Sequence, residues 1–192
     1  MAKTLILISG YAGSGKTHIG KDVARRLPSC YLDKDTLSSP FVERLLTALK
    51  QPTGDRDSLV YRQQVRPLEY EALTATGFEA AALGSDVLLS APFLAQLVDA
   101  AWTSQLADQA TQSGVRVRTI WVACNLATLR QRMVERNSPR DLAKLAAWNA
   151  YAAEVDEQLD LRFEVEAFRF NNSDGNDYDE EMARLLSWLC EP

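Results

Sequence analysis

An eight-residue glycine-rich pattern near the N-terminus, G-x-x-x-x-G-K-[ST], constrains the fold of this chain more than any other feature of its sequence. Its residues are Gly10, Tyr11, Ala12, Gly13, Ser14, Gly15, Lys16 and Thr17. An apolar run at residues 5–8 precedes the pattern as a buried strand would, and a helical spacing follows it. In such a turn, several backbone N–H groups and the positive end of the following helix point at one phosphate. The pattern therefore predicts a nucleotide site, with Lys16 at the β- and γ-phosphates and Thr17 on a magnesium ion.

Length and composition favour one globular domain over residues 1–192, because no linker or compositional break divides the chain. The longest apolar runs are too short to span a bilayer and no secretory signal begins the sequence, so we expect a cytoplasmic protein. The net charge of −5 argues against broad binding of nucleic-acid phosphates. The three cysteines are widely spaced among apolar residues, which predicts buried, reduced thiols and no zinc site. The sequence does not fix the number of subunits, so it is compatible with a homodimer.

Five apolar segments of strand length alternate with helical patterns along the chain. The predicted strands are residues 5–8, 30–32, 86–91, 115–123 and 163–170, and helices are expected at 17–27, 94–112, 126–136, 141–159 and 178–189. This alternation is typical of a three-layer α/β domain with a parallel sheet of five strands.

The connection between the second and third strands, residues 36–84, is much longer than one crossover helix requires. Its apolar residues recur at helical spacing, so we expect a helical insert that covers the substrate. Within it, Arg62 and Arg66 lie one helical turn apart and are candidates for binding an anionic or hydroxylated substrate. The alternative is an amphipathic helix that turns these residues to water.

Two carboxylates one residue apart, Asp33 and Asp35, follow the second strand, at the sheet edge where α/β proteins bind ligands. On extended backbone the two side chains would share one face and Lys34 would point away. Magnesium takes one or two carboxylates beside phosphates, and a phosphoryl acceptor needs a group that orients and deprotonates its hydroxyl. Asp33 is therefore a candidate magnesium ligand and Asp35 a candidate contact for the acceptor. A turn or a helix cap is the structural alternative for such aspartates.

A group of basic residues stands out in the second half of this acidic chain. Its members are Arg130, Arg132, Arg136, Arg140 and Lys144. Phosphoryl transfer spreads negative charge over the γ-phosphate oxygens, and mobile arginines commonly stabilise it. We expect at least one of Arg136 and Arg140 to act in this way, with a solvated helix face as the alternative.

Together these motifs resemble those of the small P-loop kinases of metabolites, which include shikimate, gluconate and adenylyl-sulfate kinases and the chloramphenicol phosphotransferases. The resemblance rests on the glycine-rich loop, the D-x-D pair, the Leu129-x-x-Arg132-x-x-x-Arg136 run and the Arg140 segment. It implies a P-loop NTPase fold with strand order 2-3-1-4-5 and a mobile, arginine-bearing lid over residues 136–145.

The resemblance also implies roles for individual residues. It implies that Asp33 assists magnesium binding and that Asp35 contacts the acceptor hydroxyl. In such kinases the arginine before the lid stacks on adenine and the lid arginine touches the phosphates, which by position implies Arg136 and Arg140. The loop after the last strand borders adenine, which implies Asn172.

The sequence departs from the motifs of these kinases in three places, and the departures limit what the resemblance implies. The third strand ends at Ser90 without the acidic residue of a full magnesium-binding motif, so Asp33 would have to fill that role. Residues 36–40 lack the Leu-His-Pro sequence typical of gluconate kinases, and residues 90–93 lack the glycine-rich turn of shikimate kinases. Neither gluconate nor shikimate is therefore favoured.

The sequence thus predicts an ATP- and Mg²⁺-dependent kinase that transfers the γ-phosphate to a hydroxyl of a small molecule, with Lys16, Asp35, Arg136 and Arg140 as its catalytic residues. One alternative keeps this machinery but uses a nucleic-acid end or a nucleotide-sugar, as in polynucleotide kinase or the zeta-type toxins. Another is an NTP-driven switch without an acceptor. The identity of the acceptor is not contained in these motifs.

Overall fold

The computed structural model of the protein describes residues 3–138 and 141–191. A single five-stranded sheet forms its centre, with the order β2-β3-β1-β4-β5. The strands are β1 Lys3–Ser9, β2 Ser29–Asp33, β3 Asp86–Ser90, β4 Val115–Ala123 and β5 Ala167–Asn171. Every neighbouring pair is parallel. The predicted α/β P-loop NTPase fold and its 2-3-1-4-5 order are confirmed.

Eight α-helices flank the sheet in the described part of the chain. They are α1 Lys16–Arg26, α2 Lys34–Ala48, α3 Arg66–Ala82, α4 Ala100–Ser113, α5 Leu126–Arg136, α6 Leu142–Ala146, α7 Trp148–Glu154 and α8 Tyr178–Cys190. A π-helical turn, Tyr61–Val65, leads into α3, and a 3-10 turn, Leu159–Arg162, precedes β5.

The central strand β1 is buried on both faces, as expected of a parallel sheet covered by helices. Because successive side chains alternate, Leu5 and Leu7 enter one core cluster while Ile6 and Ile8 enter another. The first cluster joins the sheet to α3 and α4, and the second joins it to α1 and α8. Because all five strands are parallel, their carboxyl ends lie at one edge of the sheet.

The segment between β2 and β3 is helical, and it begins earlier than the sequence suggested. The Asp33 carboxylate accepts hydrogen bonds from the backbone N–H groups of Asp35 and Thr36, so it caps α2 and the helix starts at Lys34. The extended backbone assumed for the D-x-D pair is therefore wrong. Asp33 ends a strand, Asp35 lies in the first helical turn, and Lys34 is buried.

Two other predicted boundaries are wrong for reasons of packing. The helix predicted to begin at 94 begins at Ala100, where the Asp99 side chain caps it, and the chain before it turns so that Phe93 and Leu97 reach the core. The strand predicted from 163 begins at Ala167, because Phe163 instead packs its ring edge-on against Trp121, with centroids 5.5 Å apart.

The helix predicted over 141–159 is broken into α6, α7 and the 3-10 turn. All three cysteines are free, as predicted, but only Cys124 is buried. Cys30 lies on the edge strand β2 and Cys190 at the end of α8, and both are exposed. Among the residues described, none of the helices combines the length and the apolar character that crossing a membrane requires.

Candidate functional site

A cavity of about 1270 Å³ opens at the carboxyl edge of the sheet. The glycine-rich loop forms its floor, and α2, the π-helical turn, the start of α3 and residues from α5 to the 3-10 turn form its walls. The predicted nucleotide loop and the D-x-D pair therefore face one space. Ligands of parallel α/β sheets bind at this edge.

The glycine-rich loop connects the buried strand β1 to α1. Gly15 is the residue before the helix and has a φ of 96°, a conformation that side chains other than hydrogen rarely permit. A Cβ there would also lie 2.3 Å from the side-chain nitrogen of Asn172. The first turn of α1 lines the cavity, and the N-terminus of a helix suits a phosphate group.

Lys16 and Ser14 place further polar atoms on this loop. The Lys16 ammonium donates to the carbonyl of Tyr11 at 2.8 Å. Lys16 and Tyr11 both line the cavity. The Ser14 hydroxyl is buried and has no hydrogen-bond partner among the residues described. A buried hydroxyl without a partner is costly, so this group fits a loop that is completed by a bound anion.

Thr17, Asp33 and Tyr31 come together where β2 and β3 end. The Tyr31 hydroxyl donates to Asp33 Oδ2 at 3.2 Å and also interacts with Thr17 and Ser90. Burial is the main cause that raises the pKa of Tyr31 to about 12, so the phenol keeps its proton near neutral pH. The side-chain oxygens of Thr17, Asp33 and Tyr31 thus form a cluster beside the phosphate loop.

This oxygen cluster fits Mg²⁺ held largely by phosphates. Asp33 and Thr17 both line the cavity and supply hard oxygen donors. Within residues 3–138 and 141–191, no group of three or more His, Cys, Asp or Glu side chains could hold a metal without help. Mg²⁺ bound to a nucleotide needs only one or two protein carboxylates, because phosphates and waters complete its shell.

Asp35, the predicted acceptor contact, lines the cavity from the first turn of α2. Its Oδ1 lies 2.9 Å from the ammonium of Lys34. Sequence reasoning missed this lysine because it assumed extended backbone, on which Lys34 would face the other way. The signal available in the sequence was the aspartate itself, since an aspartate before a helical spacing is a common cap.

The arginines of α5 take two different positions. Arg136 donates to both carboxylate oxygens of buried Asp141 at 2.8 Å, and both residues line the cavity. Arg132 lies closer to the phosphate loop, with Nη1 3.4 Å from the carbonyl of Ser14 and Nη2 3.1 Å from Asp174. Arg140, the other predicted catalytic arginine, lies outside the described residues.

Arg132 was not among the predicted site residues, although its sequence position contained a signal. It precedes Arg136 by one helical turn, so both face the same side of α5. Asn172, which was predicted, donates its side-chain N–H to the Ser14 carbonyl at 2.7 Å and joins the loop after β5 to the phosphate loop.

The two insert arginines that were predicted to bind substrate take different positions. Arg66 lines the cavity, whereas Arg62 is exposed and is not part of the cavity wall. The α-helical spacing assumed for this pair does not hold, because residues 61–65 form a π-helical turn and the Arg66 N–H bonds to the carbonyl of Tyr61, five residues earlier.

A glycine-rich phosphate loop between a buried strand and a helix, on a parallel sheet of order 2-3-1-4-5, defines a P-loop nucleotide-binding protein. The chain belongs to the family described as AAA domain, whose model matches residues 5–158. No curated protein sequence matches the chain significantly.

Solved structures of small kinases share the fold over almost the whole chain. A sugar kinase from Janibacter sp. HTCC2649 has a TM-score of 0.63 at 16% identity, over 98% of this chain and 95% of that one. The APS kinase CysC of Mycobacterium tuberculosis, in complex with AMPPNP and APS, has a TM-score of 0.57 at 20% identity, over 99% of both chains. A gluconokinase from Sinorhizobium meliloti 1021 has a TM-score of 0.55 at 17% identity, also over 99% of both. The resemblance to small P-loop kinases is confirmed, and at these identities it establishes the fold.

Proposed function

We propose that the protein is an ATP-dependent phosphotransferase that moves the γ-phosphate to a hydroxyl of a small molecule. The observation that carries the proposal is the presence of Asp35 on the same cavity as Lys16 and Thr17. A nucleotide switch needs only the phosphate loop and a magnesium site. A carboxylate on the open side of the loop supplies what a kinase needs in addition, a group that orients an acceptor hydroxyl.

Different residues at the phosphate loop hold the phosphates and the magnesium ion of the nucleotide donor. Backbone N–H groups of residues 10–17 bind the phosphates, and Lys16 turns from the Tyr11 carbonyl to their oxygens. Thr17 and Asp33 would hold Mg²⁺, which when bound neutralises charge on the β- and γ-phosphates. The hydroxyl of Tyr31 keeps Asp33 in place.

Asp35 and the arginines act on the transferred group. Asp35 accepts the proton of the acceptor hydroxyl and aligns its oxygen with the γ-phosphorus. Arg136, and Arg140 within a lid over residues 136–145, stabilise the charge that develops on the phosphoryl oxygens. Arg132 and Asn172 border the nucleotide beside the phosphate loop, and their contacts with the Ser14 carbonyl support this assignment.

We further propose that the acceptor lies between the phosphate loop and the helical segment at residues 36–84. Of the two arginines predicted to bind substrate, Arg66 lines the cavity and Arg62 does not, so we assign substrate binding to Arg66. Arg62 has the same chemistry on the same segment and serves as a matched control. The chain would act as one cytoplasmic kinase domain on a small molecule, without nucleic acid; its net charge of −5 supports the last point.

The test is an ADP-release screen of the purified protein with ATP and Mg²⁺ against hydroxylated metabolites, sugars, nucleosides and antibiotics. We expect ADP release that depends on one class of acceptor. The Asp35→Ala variant should still bind ATP while losing transfer. Transfer by Asp35→Ala at nearly the wild-type rate would contradict the role given to Asp35. ATP hydrolysis that no acceptor changes would favour the nucleotide switch instead.

A further inference from the structure

A buried ion pair borders the acceptor side of the cavity. Lys34 and Glu69 are only 6% and 3% exposed, and the Lys34 ammonium lies 2.7 Å from Glu69 Oε1. Ser38 Oγ donates to the same oxygen at 2.7 Å, and the Tyr61 hydroxyl donates to Oε2 at 2.6 Å. Both carboxylate oxygens of Glu69 are therefore satisfied, as a buried charge requires.

The Lys34 ammonium makes a second contact, 2.9 Å from Asp35 Oδ1. Neutralising the buried lysine does not require this contact, because Glu69 already provides a buried counter-charge. The contact does restrict Asp35, whose side chain is 45% exposed and lines the cavity. An ion pair at this distance favours the Asp35 rotamer that makes it over the others open to the side chain.

The chemistry assigned to Asp35 depends on its position. A carboxylate that orients a hydroxyl has to be held closely, since a misplacement of about 1 Å can cost about 10²-fold in rate. An ammonium group has three donors and can hold two carboxylates at once. Lys34 thereby connects Asp35 to Glu69 on α3 and, through Tyr61, to the π-helical turn.

We propose that Lys34 is a positioning residue, which fixes the Asp35 carboxylate toward the acceptor and couples it to the helical segment between β2 and β3. The inference rests on the phosphotransferase function proposed above. The competing explanation is that Lys34 only neutralises Glu69 and contributes to stability. The two explanations predict different results when the charge of Glu69 is removed together with that of Lys34.

The kinetic test compares Lys34→Met with the double variant Lys34→Met/Glu69→Gln. Lys34→Met leaves Glu69 buried without its counter-charge, so the melting temperature should fall, and the double variant should recover most of that loss. In both variants we expect kcat to fall by about 10²-fold, with KM for ATP unchanged. Recovery of kcat together with stability in the double variant would overturn the proposal.

Ser38→Ala is the matched control. It removes the hydroxyl that contacts Glu69 Oε1 and the Lys34 carbonyl but leaves both contacts of the Lys34 ammonium, so it should lower stability while kcat stays near wild type. A fall in kcat for Ser38→Ala as large as that for Lys34→Met would overturn the proposal, because both contacts of the Lys34 ammonium remain in that variant.

Crystal structures of the wild type and of Lys34→Met separate this inference from the proposed function, because they need no acceptor. We expect the Asp35 carboxylate to leave its position or to split over several conformers in the variant, while the backbone of α2 stays in place. An Asp35 carboxylate that keeps its wild-type position overturns the inference even if the protein proves to be a kinase. If Asp35 is displaced but the wild type transfers phosphate to no acceptor, the proposed function fails, and with it the catalytic meaning of the contact.

Discussion

Gly20 shows how a single residue supports the oxygen cluster beside the phosphate loop. The ring of Tyr31 lies against α1 at this position, and a Cβ on Gly20 would meet Tyr31 Cε2 at 2.7 Å. Because the Tyr31 hydroxyl contacts Asp33, the glycine allows the ring to lie where that hydroxyl bonds the Asp33 carboxylate. The sequence gives no indication of this requirement, since a glycine in a helix predicts only a loss of helix propensity.

Gly20→Ala should therefore destabilise the protein, although alanine is the better helix former. We expect a loss of about 1–3 kcal/mol in the free energy of unfolding, from the shift forced on the Tyr31 ring. Urea denaturation of the wild type and the variant measures the change. Gly54→Ala is the control, because nothing lies within 4 Å of a Cβ at that position. A gain in stability for Gly20→Ala would show that the ring is not held there.

Arg66 and Arg62 provide a second prediction at this scale. Arg66→Ala should raise KM for the acceptor by about 10-fold or more, which is the usual effect of losing a hydrogen bond to a charged group. KM for ATP should not change, since Arg66 lies on the acceptor side. Arg62→Ala, which removes an exposed arginine outside the cavity, should leave both constants unchanged. Equal effects of the two substitutions on KM for the acceptor would show that Arg66 does not bind the substrate.

At the scale of elements, the D-x-D segment shows why the position of a motif was predictable and its conformation was not. The two aspartates were correctly placed at the end of β2, because a short apolar run followed by acidic residues is a clear pattern. The extended geometry predicted for them was wrong, because the Asp33 carboxylate caps α2 and the helix begins directly after it, at Lys34. The cap and the proposed metal contact are not alternatives here: Oδ1 caps the helix, and Oδ2 accepts from Tyr31 beside Thr17.

These two roles of Asp33 can be separated by substitution. Asp33→Asn should keep most of the stability of α2, because asparagine caps helices about as well as aspartate. It should nevertheless raise the Mg²⁺ concentration that half-maximal ADP release requires, since an amide is a poorer magnesium ligand than a carboxylate. A titration of Mg²⁺ at fixed ATP measures this.

Asp99→Ala is the matched control for the cap. Asp99 caps α4 through the N–H groups of Ala101 and Trp102, and it is not part of the cavity wall. Its loss should cost about 1 kcal/mol of stability and leave the Mg²⁺ requirement unchanged. If Asp33→Asn requires the same Mg²⁺ concentration as the wild type, Asp33 acts only as a helix cap and does not bind Mg²⁺.

At the scale of the whole molecule, the sheet and its order were predictable, whereas the walls of the cavity were not. Buried parallel strands appear as continuous apolar runs, and the resemblance supplied their order. The walls depend on packing between distant segments. Phe163 leaves the predicted strand to pack on Trp121, and Arg132 reaches the phosphate loop across 118 residues of sequence. Local spacing can indicate which face of a helix a side chain shares, but it does not specify a partner so distant in sequence.

Nucleotide binding should stabilise the molecule as a whole. At a nucleotide concentration about 100 times Kd, binding to the folded state alone adds about 2.7 kcal/mol to the free energy of unfolding. We therefore expect a non-hydrolysable ATP analogue with Mg²⁺ to raise the melting temperature of the wild type, measured by scanning calorimetry. Lys16→Met should lose most of this rise, whereas Lys50→Met, which lies outside the cavity wall, should keep it. An unchanged rise in Lys16→Met would place the nucleotide elsewhere.

The proposed phosphoryl transfer from the loop to a hydroxyl beside Asp35 is tested most directly by the identity of the phosphorus product. Phosphorus NMR of a reaction with ATP, Mg²⁺ and the acceptor found in the screen should show a new phosphate monoester growing in step with ADP. The signal should be absent with Asp35→Ala. Inorganic phosphate as the only product, at a rate that neither the acceptor nor the Asp35 substitution changes, would contradict the account.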